Sequence, residues 1–320
     1  MRREIITWSA VAALVIGGFA GTVLLLNATL YSASGFVGSY LDALARQDAP
    51  GALELAGPSV AGDASTRLLE RDAMGELGDI RLISDAAQPD GTHTVIYSFT
   101  AGEVIGQSSF TVRPTGTLLG LFTTWSFDTP PLGVVQLTVL HDDEFTANGV
   151  NLTTPRQNES VPYLVFTPGL YEFDHETTFL TAEAVRIAVT EPGSAVPAAV
   201  DVQANQAFAD KVSREITTFL DGCATQQVLL PTGCPFGQTI TNRVITSPAW
   251  SIVDYPKVTI IPGSEPSQWR MSQASATAHL IVDVKSLFDG TVSTLDENVP
   301  FSLRATIALL PEDELVITVE

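Results

Sequence analysis

The sequence predicts an α+β protein: an N-terminal transmembrane helix, an α+β domain behind it, a small all-β sandwich-like module, and a C-terminal α+β domain in helix-then-antiparallel-sheet order. Three observations carry this reading. Residues 5–26, IITWSAVAALVIGGFAGTVLLL, contain no charge. Beyond them, apolar residues recur at helical spacing until Gly78, after which strand-like alternation takes over. Two proline-rich breaks, DTPP at 128–131 and EPGSAVP at 191–197, divide the rest of the chain. The resulting boundaries are 1–28 for the anchor and 29–129, 130–193 and 194–320 for the domains.

The uncharged run reaches roughly 33 Å as a helix, enough to cross a hydrocarbon core of about 30 Å. A cleaved signal peptide is the competing reading, but its apolar region is shorter, about 7 to 15 residues. The small residues at 31–34 make a weak cleavage site, and no cysteine lies near enough for lipid attachment. Arg2 and Arg3 precede the run and the next basic residue is Arg46, so the N-terminus is expected in the cytoplasm and everything from Asn27 onward outside it. The expected location is therefore the plasma membrane, with one span.

Without Arg2, Arg3 and Glu4, the chain has 14 basic and 35 acidic residues, a formal charge of −21. Such a surface repels nucleic acid and anionic lipid headgroups and attracts cations and basic partners. Few lysines and an Ala/Val/Gly-rich sequence suggest a high-GC bacterium. Asn27, Asn151 and Asn158 each match the glycosylation acceptor pattern, a match short enough to arise by chance.

In the second segment Phe36, Val37, Tyr40, Leu41 and Leu44 form a helical stripe that Ser34 is placed to cap. Asp48 and Pro50 restart the chain as a short helix, and a third helix is expected over residues 65–76. Val95, Tyr97 and Phe99 then alternate with polar residues, a turn at Ala101-Gly102 leads into a strand over 105–112, and another strand lies within 118–127. FVGSYLDALARQDAPGALELAG, residues 36–57, followed by this helix-then-sheet order, resembles the nuclear-transport-factor-like cone fold. That family often follows a single membrane anchor in exported bacterial proteins. It includes isomerases and dehydratases as well as non-catalytic binding and assembly modules, so the resemblance implies shape more than activity.

The third segment reads as strands only, around Val135-Leu137-Val139, 161–173 and 184–190. ANGV at 147–150 and PGLY at 168–171 resemble the turns of the PEGA type of small immunoglobulin-like module found in bacterial surface proteins, which implies a spacer or adhesive role. The last segment opens with a helix over 203–220 bearing Phe208, Val212, Ile216, Phe219 and Leu220. Strands follow at 250–261, 273–284, 299–310 and 315–319. Its element order echoes the second segment without a residue-level repeat.

Candidate chemistry is sparse. HDDE at 141–144 and DHE at 174–176 place carboxylates and imidazoles together, and if the clusters meet across the β module they form a cation site; solvated turns account for the same residues. His279 and Asp283 share the more polar face of one strand, as residues do in any half-exposed strand. There is no nucleophile elbow, phosphate-cradling loop, H-E-x-x-H or dinucleotide fingerprint. Trp250, Tyr255 and Trp269 flank Pro-Gly loops and are a candidate aromatic ligand platform, although core packing is the commoner use of such rings.

Cys223 and Cys234 are the only cysteines. A zinc site needs about four ligands and a redox couple the C-x-x-C spacing, whereas two thiols outside the cytoplasm form a disulfide. GCPF at 233–236 resembles a helix-to-sheet junction in anchored actinobacterial surface proteins. The reading is a non-enzymatic envelope protein that binds an envelope component or a membrane protein and uses no metal or other cofactor. An enzyme with a site in a cone-like pocket, and an accessory subunit of an envelope transport complex, are the alternatives.

Overall fold

The computed structural model describes residues 2–58, 62–265, 267–310 and 313–320, with the backbone alone for 2–7 and 9–12. The side chains of Arg2 and Arg3, on which the expected orientation rests, thus lie outside the described residues. The chain is α+β, with four α-helices and several antiparallel sheets among the described residues. It forms two compact units: residues 1–139, 143–174 and 184–200 make the first, and 140–142, 175–183 and 201–320 the second. The proline break at 128–131 falls inside the first unit.

Helix α1 (Arg2–Ala28) leads into α2 (Ala33–Ala45) and α3 (Ala49–Ala56). Among the described residues no single helix is long and apolar enough to cross a membrane, while the bent pair Ala13–Ala28 and Ala33–Ala45, at 60°, passes together. The second member of that pair is already committed elsewhere. Its Val37, Tyr40, Leu41 and Leu44 are buried against Val95, Phe110, Val112 and Phe127 in the unit's own core.

The N-cap of α2 is Ser32, not Ser34: the Ser32 hydroxyl accepts the Gly35 N–H at 2.9 Å, leaving Ser34 inside the first turn. Helix α3 starts at Asp48 and Pro50 as expected, with Asp48 as its N-cap and Pro50 in its first turn. The helix expected over 65–76 is replaced by two short 3-10 turns, Arg67–Leu69 and Arg71–Ala73. Neither turn has a side-chain cap, and the backbone of Ser65 is spent instead on Pro162 and Leu164, at 2.8 Å each.

Strands β1 (Gly78–Ala87), β2 (His93–Ala101), β3 (Val104–Leu118) and β4 (Phe122–Phe127) form one antiparallel sheet in that order. Alternation along β2 turns Val95, Tyr97 and Phe99 inward, towards α2 or the neighbouring strands. The rest of the first unit draws on β5 (Leu132–Leu140), β6 (Glu144–Ala147), β7 (Val150–Thr153), β8 (Ser160–Phe166), β9 (Gly169–Glu176), β10 (Leu180–Val189) and β11 (Ala195–Asp201), of which residues 140, 175–176, 180–183 and 201 belong to the second unit. Strand β5 lies between β11 and β8, and β9 between β10 and β6. Phe145 of β6 meets Tyr163 of β8 edge-on at 5.7 Å.

In the second unit β12 (Gln203–Ala204) pairs with Leu180 and Thr181, and α4 (Gln206–Ala224) follows, capped by Asn205. Phe208, Val212, Ile216 and Leu220 are its buried stripe, while Phe219 is half-buried. A second sheet holds β13 (Arg243–Val244), β14 (Ala249–Asp254), β15 (Ile260–Pro262), β16 (Gln268–Lys285), β17 (Val292–Leu310) and β18 (Glu314–Val319). Its frame is the long β16–β17 hairpin, and β18 forms one edge.

Candidate functional site

The exit of α1 is fastened to the sheet of the first unit. The side-chain amide of Asn27, in the last turn of α1, donates to the Leu121 carbonyl at 2.7 Å, and its oxygen accepts the Thr123 N–H at 3.1 Å. Four residues on, the Tyr31 ring stacks on Phe122 at 4.5 Å, and the Tyr31 carbonyl accepts the Trp125 indole N–H at 2.8 Å. The contacts climb in order, because Phe127 then packs on Phe36 at 5.0 Å and on Tyr40 at 5.3 Å. Strand β4 therefore runs beside the chain from the end of α1 into α2.

Next to this seam lies an acid–imidazole pair. Asp85 Oδ1 is 2.6 Å from His93 Nδ1, and Asp85 Oδ2 accepts the backbone N–H of Ser34 at 3.1 Å. The Trp125 ring meets His93 edge-on at 4.9 Å, and the Tyr97 hydroxyl donates to the Ser34 carbonyl at 2.8 Å. Burial alone pushes the Asp85 carboxyl up, but hydrogen bonds from His93 and Ser34 outweigh it and hold it below the ordinary range. Burial, then the carboxylates of Asp42 and Asp85, push the Tyr97 hydroxyl up. An aspartate that fixes one ring nitrogen leaves the other free for proton transfer, so the pair is capable of acid–base work. It also clasps the start of α2 to the β1–β2 hairpin, which is a sufficient structural role.

The two acidic clusters do meet, at His175 and Asp142. His175 is buried, and its Nε2 lies 3.4 Å from Asp142 Oδ2, within range of charge attraction but without hydrogen-bond alignment. His141 Nδ1 instead faces Asp201 at 3.1 Å and the Val202 carbonyl at 3.2 Å. Among the described residues no group of three or more histidines, cysteines or carboxylates is arranged to hold a metal ion. His279 and Asp283 are not partners: His279 faces Asn298 at 2.8 Å and Asp296 at 3.3 Å across the hairpin, and Asp283 accepts from Thr294 at 2.6 Å.

The aromatic platform is overturned for two of its three rings. Trp250 is 7% exposed, donates to the Val228 carbonyl at 2.7 Å and packs on Phe236 at 5.0 Å. Trp269 is 1% exposed and meets Phe208 edge-on at 5.9 Å. Strand alternation puts both on the core face, and only Tyr255, at 43%, reaches the surface.

Cys223 and Cys234 are joined in a disulfide, with their Cα atoms 5.8 Å apart. It leaves the last turn of α4, and Gln226 braces the loop it closes by bonding Thr232 through both ends of its amide, at 2.8 and 3.2 Å. Phe236, two residues on, plugs between Trp250 and Phe301. A groove of about 500 Å³ lies between α4 and β18, lined among others by Lys211, Phe219, Leu315 and Ile317.

Neither Asn27 as a fastener nor the Asp85–His93 pair is readable from sequence spacing. The only available signal for the pair is the turn chemistry of QPDG at 88–91, which sets the hairpin that brings the two together. Compared with protein-family models, curated proteins and solved structures, the chain has no match.

Proposed function

We propose that the chain is a single-pass, membrane-anchored, extracytoplasmic protein of a bacterial cell envelope, with a non-enzymatic binding or assembly role. The observation that carries the reading is the surface of α1. Leu14, Val15, Ile16, Phe19, Leu24 and Leu25 all stand exposed, between 60% and 76%, on a helix that continues into a folded unit. At 27 residues the helix is roughly 40 Å long, and the uncovered apolar surface of its described side chains from Ala13 onward matches lipid better than water. The disulfide supports the same compartment.

The enzyme alternative needs an open pocket, whereas in the layer between α2 and the sheet Tyr40, Phe110 and Phe127 are buried and pack on one another, which supports a binding role. The order α2, α3, then β1 to β4 fits the cone-like domain, and β5 to β10 fall within the span 130–193 of the small β module. The partner is an envelope component or a membrane protein, and the net charge of −20 favours a basic face on it.

The test is extraction of membranes from cells making the full chain. Retention in the pellet at high salt and alkaline carbonate, with the folded units open to protease added outside spheroplasts, is the expected result; release by carbonate overturns the anchor. Mild detergent solubilisation then identifies what stays bound, and a transporter among the retained proteins supports the accessory-subunit reading. One observation favours an enzyme, the Asp85–His93 pair, and a small ligand that shifts the His93 ring resonances on binding supports that reading over the proposed one.

A further inference from the structure

The β3–β4 hairpin ends in an exposed apolar tip. Leu119 is 83% exposed, and Leu118 and Leu121 are exposed beside it. Large apolar side chains on a surface are ordinary when scattered, but clustered at a projecting tip they mark a contact surface. The tip is also chemically set apart. In a chain with 16% charged residues, PTGTLLGLFTTWSF at 114–127 has none, and the ion pair Arg113–Asp128 closes the hairpin at its base.

The position of the tip identifies what covers it. Asn27 holds Leu121 and Thr123 within hydrogen-bond distance of the last turn of α1, so the tip is level with the point where α1 ends. The order of contacts along β4, from Asn27 through Tyr31 to Phe36 and Tyr40, directs the hairpin back towards α1 and away from the core. Leu24 and Leu25 of α1 and Leu30 just beyond it are exposed as well. Tyr31, Phe122 and Trp125 stand immediately beyond, the composition and placement of an aromatic belt at a membrane interface.

We infer that the tip, residues 118–121, is a second membrane contact that inserts into the headgroup-to-acyl boundary of the leaflet α1 leaves, so that α1 and the hairpin together hold the first unit at a fixed height on the bilayer. The inference rests on the anchored reading above. A single helix alone leaves a domain free to rotate and tilt about its exit; a second contact, fastened to the helix by Asn27, removes that freedom. The lack of charge over residues 114–127 means that the contact needs no anionic headgroup, in keeping with the acidity of the chain.

The experiment uses the full chain in phosphatidylcholine vesicles. Because Cys223 and Cys234 are joined, a thiol introduced as Leu119→Cys, or as Leu118→Cys where the first variant folds poorly, is the sole free one and takes an environment-sensitive fluorophore. Glu103→Cys, in the turn at the opposite end of β3 and roughly 50 Å away, is the control. The expected result is blue-shifted emission at the tip, quenched by nitroxide-bearing lipid and shielded from aqueous iodide, with the control showing the reverse. Vesicle-bound protein whose tip label is quenched by iodide like the control overturns the second contact and leaves the anchor standing. A tip label shielded from both quenchers also overturns it, in favour of a protein partner. Protein that fails to float with the vesicles overturns the anchor and the tip together.

Discussion

The hydroxyl of Tyr40 lies 2.9 Å from the carbonyl oxygen of Thr167, joining α2 to the end of β8 across 127 residues of sequence. It also lies 2.8 Å from the Pro131 carbonyl, so one buried donor serves two buried acceptors. Tyr40→Phe keeps the ring packing and removes this donor from both, although the Pro131 carbonyl keeps the Thr167 N–H at 3.0 Å. The expected cost is about 1 to 3 kcal/mol, read as a lower urea midpoint with an unchanged slope.

The same hydroxyl predicts how the fold responds to base. Burial, then the nearby Tyr171, push the Tyr40 hydroxyl well above its ordinary range, against a smaller opposite effect of its bond to Thr167, and burial pushes Tyr171 up as well. Unfolded tyrosine ionises near pH 10, while these two stay protonated when folded. Above about pH 10 the folded state therefore binds more protons than the unfolded one, and stability falls as pH rises. Urea midpoints that decline above pH 10, with a shallower decline in Tyr40→Phe, are the expected outcome.

At the acid end the relevant group is Asp85. Its folded carboxyl is held below the ordinary range, so its contribution is present above the unfolded value near pH 4 and is lost as pH falls through the folded one. Asp85→Asn should cost about 1 kcal/mol at neutral pH by removing the charge-assisted bonds to Ser34 and His93. The cost should shrink towards zero in the most acidic buffers that the fold tolerates. A cost that does not change with pH would assign the effect to shape, not charge.

What was legible in the sequence is what short-range pattern controls. The stripe of α2, the restart of the helix at Asp48 and Pro50, the alternation of β2 and the stripe of α4 are all set within a few residues, and all are present. The missed features depend on partners far along the chain. Strand β17 begins at Val292, seven residues before its expected start, because Ser293, Thr294, Asp296, Glu297 and Asn298 interrupt the apolar pattern yet pair with β16. The helix expected at 65–76 loses to pairing of Ser65 with residues about one hundred positions away. The Asn27 fastener depends on a separation of 94 residues to Leu121. Trp250 and Trp269 look like surface rings beside loops until cross-strand register turns them inward.

The Cys223–Cys234 disulfide joins both scales, because the pairing of two lone cysteines is legible in the sequence and its energetic role follows from where the chain folds. It fastens the final turn of α4 to the segment that delivers Phe236 to Trp250, and Gln226 bonds across the same loop. Opening the bond restores loop freedom to the unfolded chain, which costs about 2.7 kcal/mol in the chain-entropy model for a loop of this length. Reduction should therefore lower the urea midpoint of the second unit while the transition of the first stays where it was, provided that the two unfold separately. Unreduced mass spectrometry checks the premise: alkylation before reduction should label neither cysteine, and two labelled thiols would remove the disulfide. If Cys223→Ser with Cys234→Ser loses no more stability than an exposed double substitution, the loop is held by Gln226 and Phe236 instead.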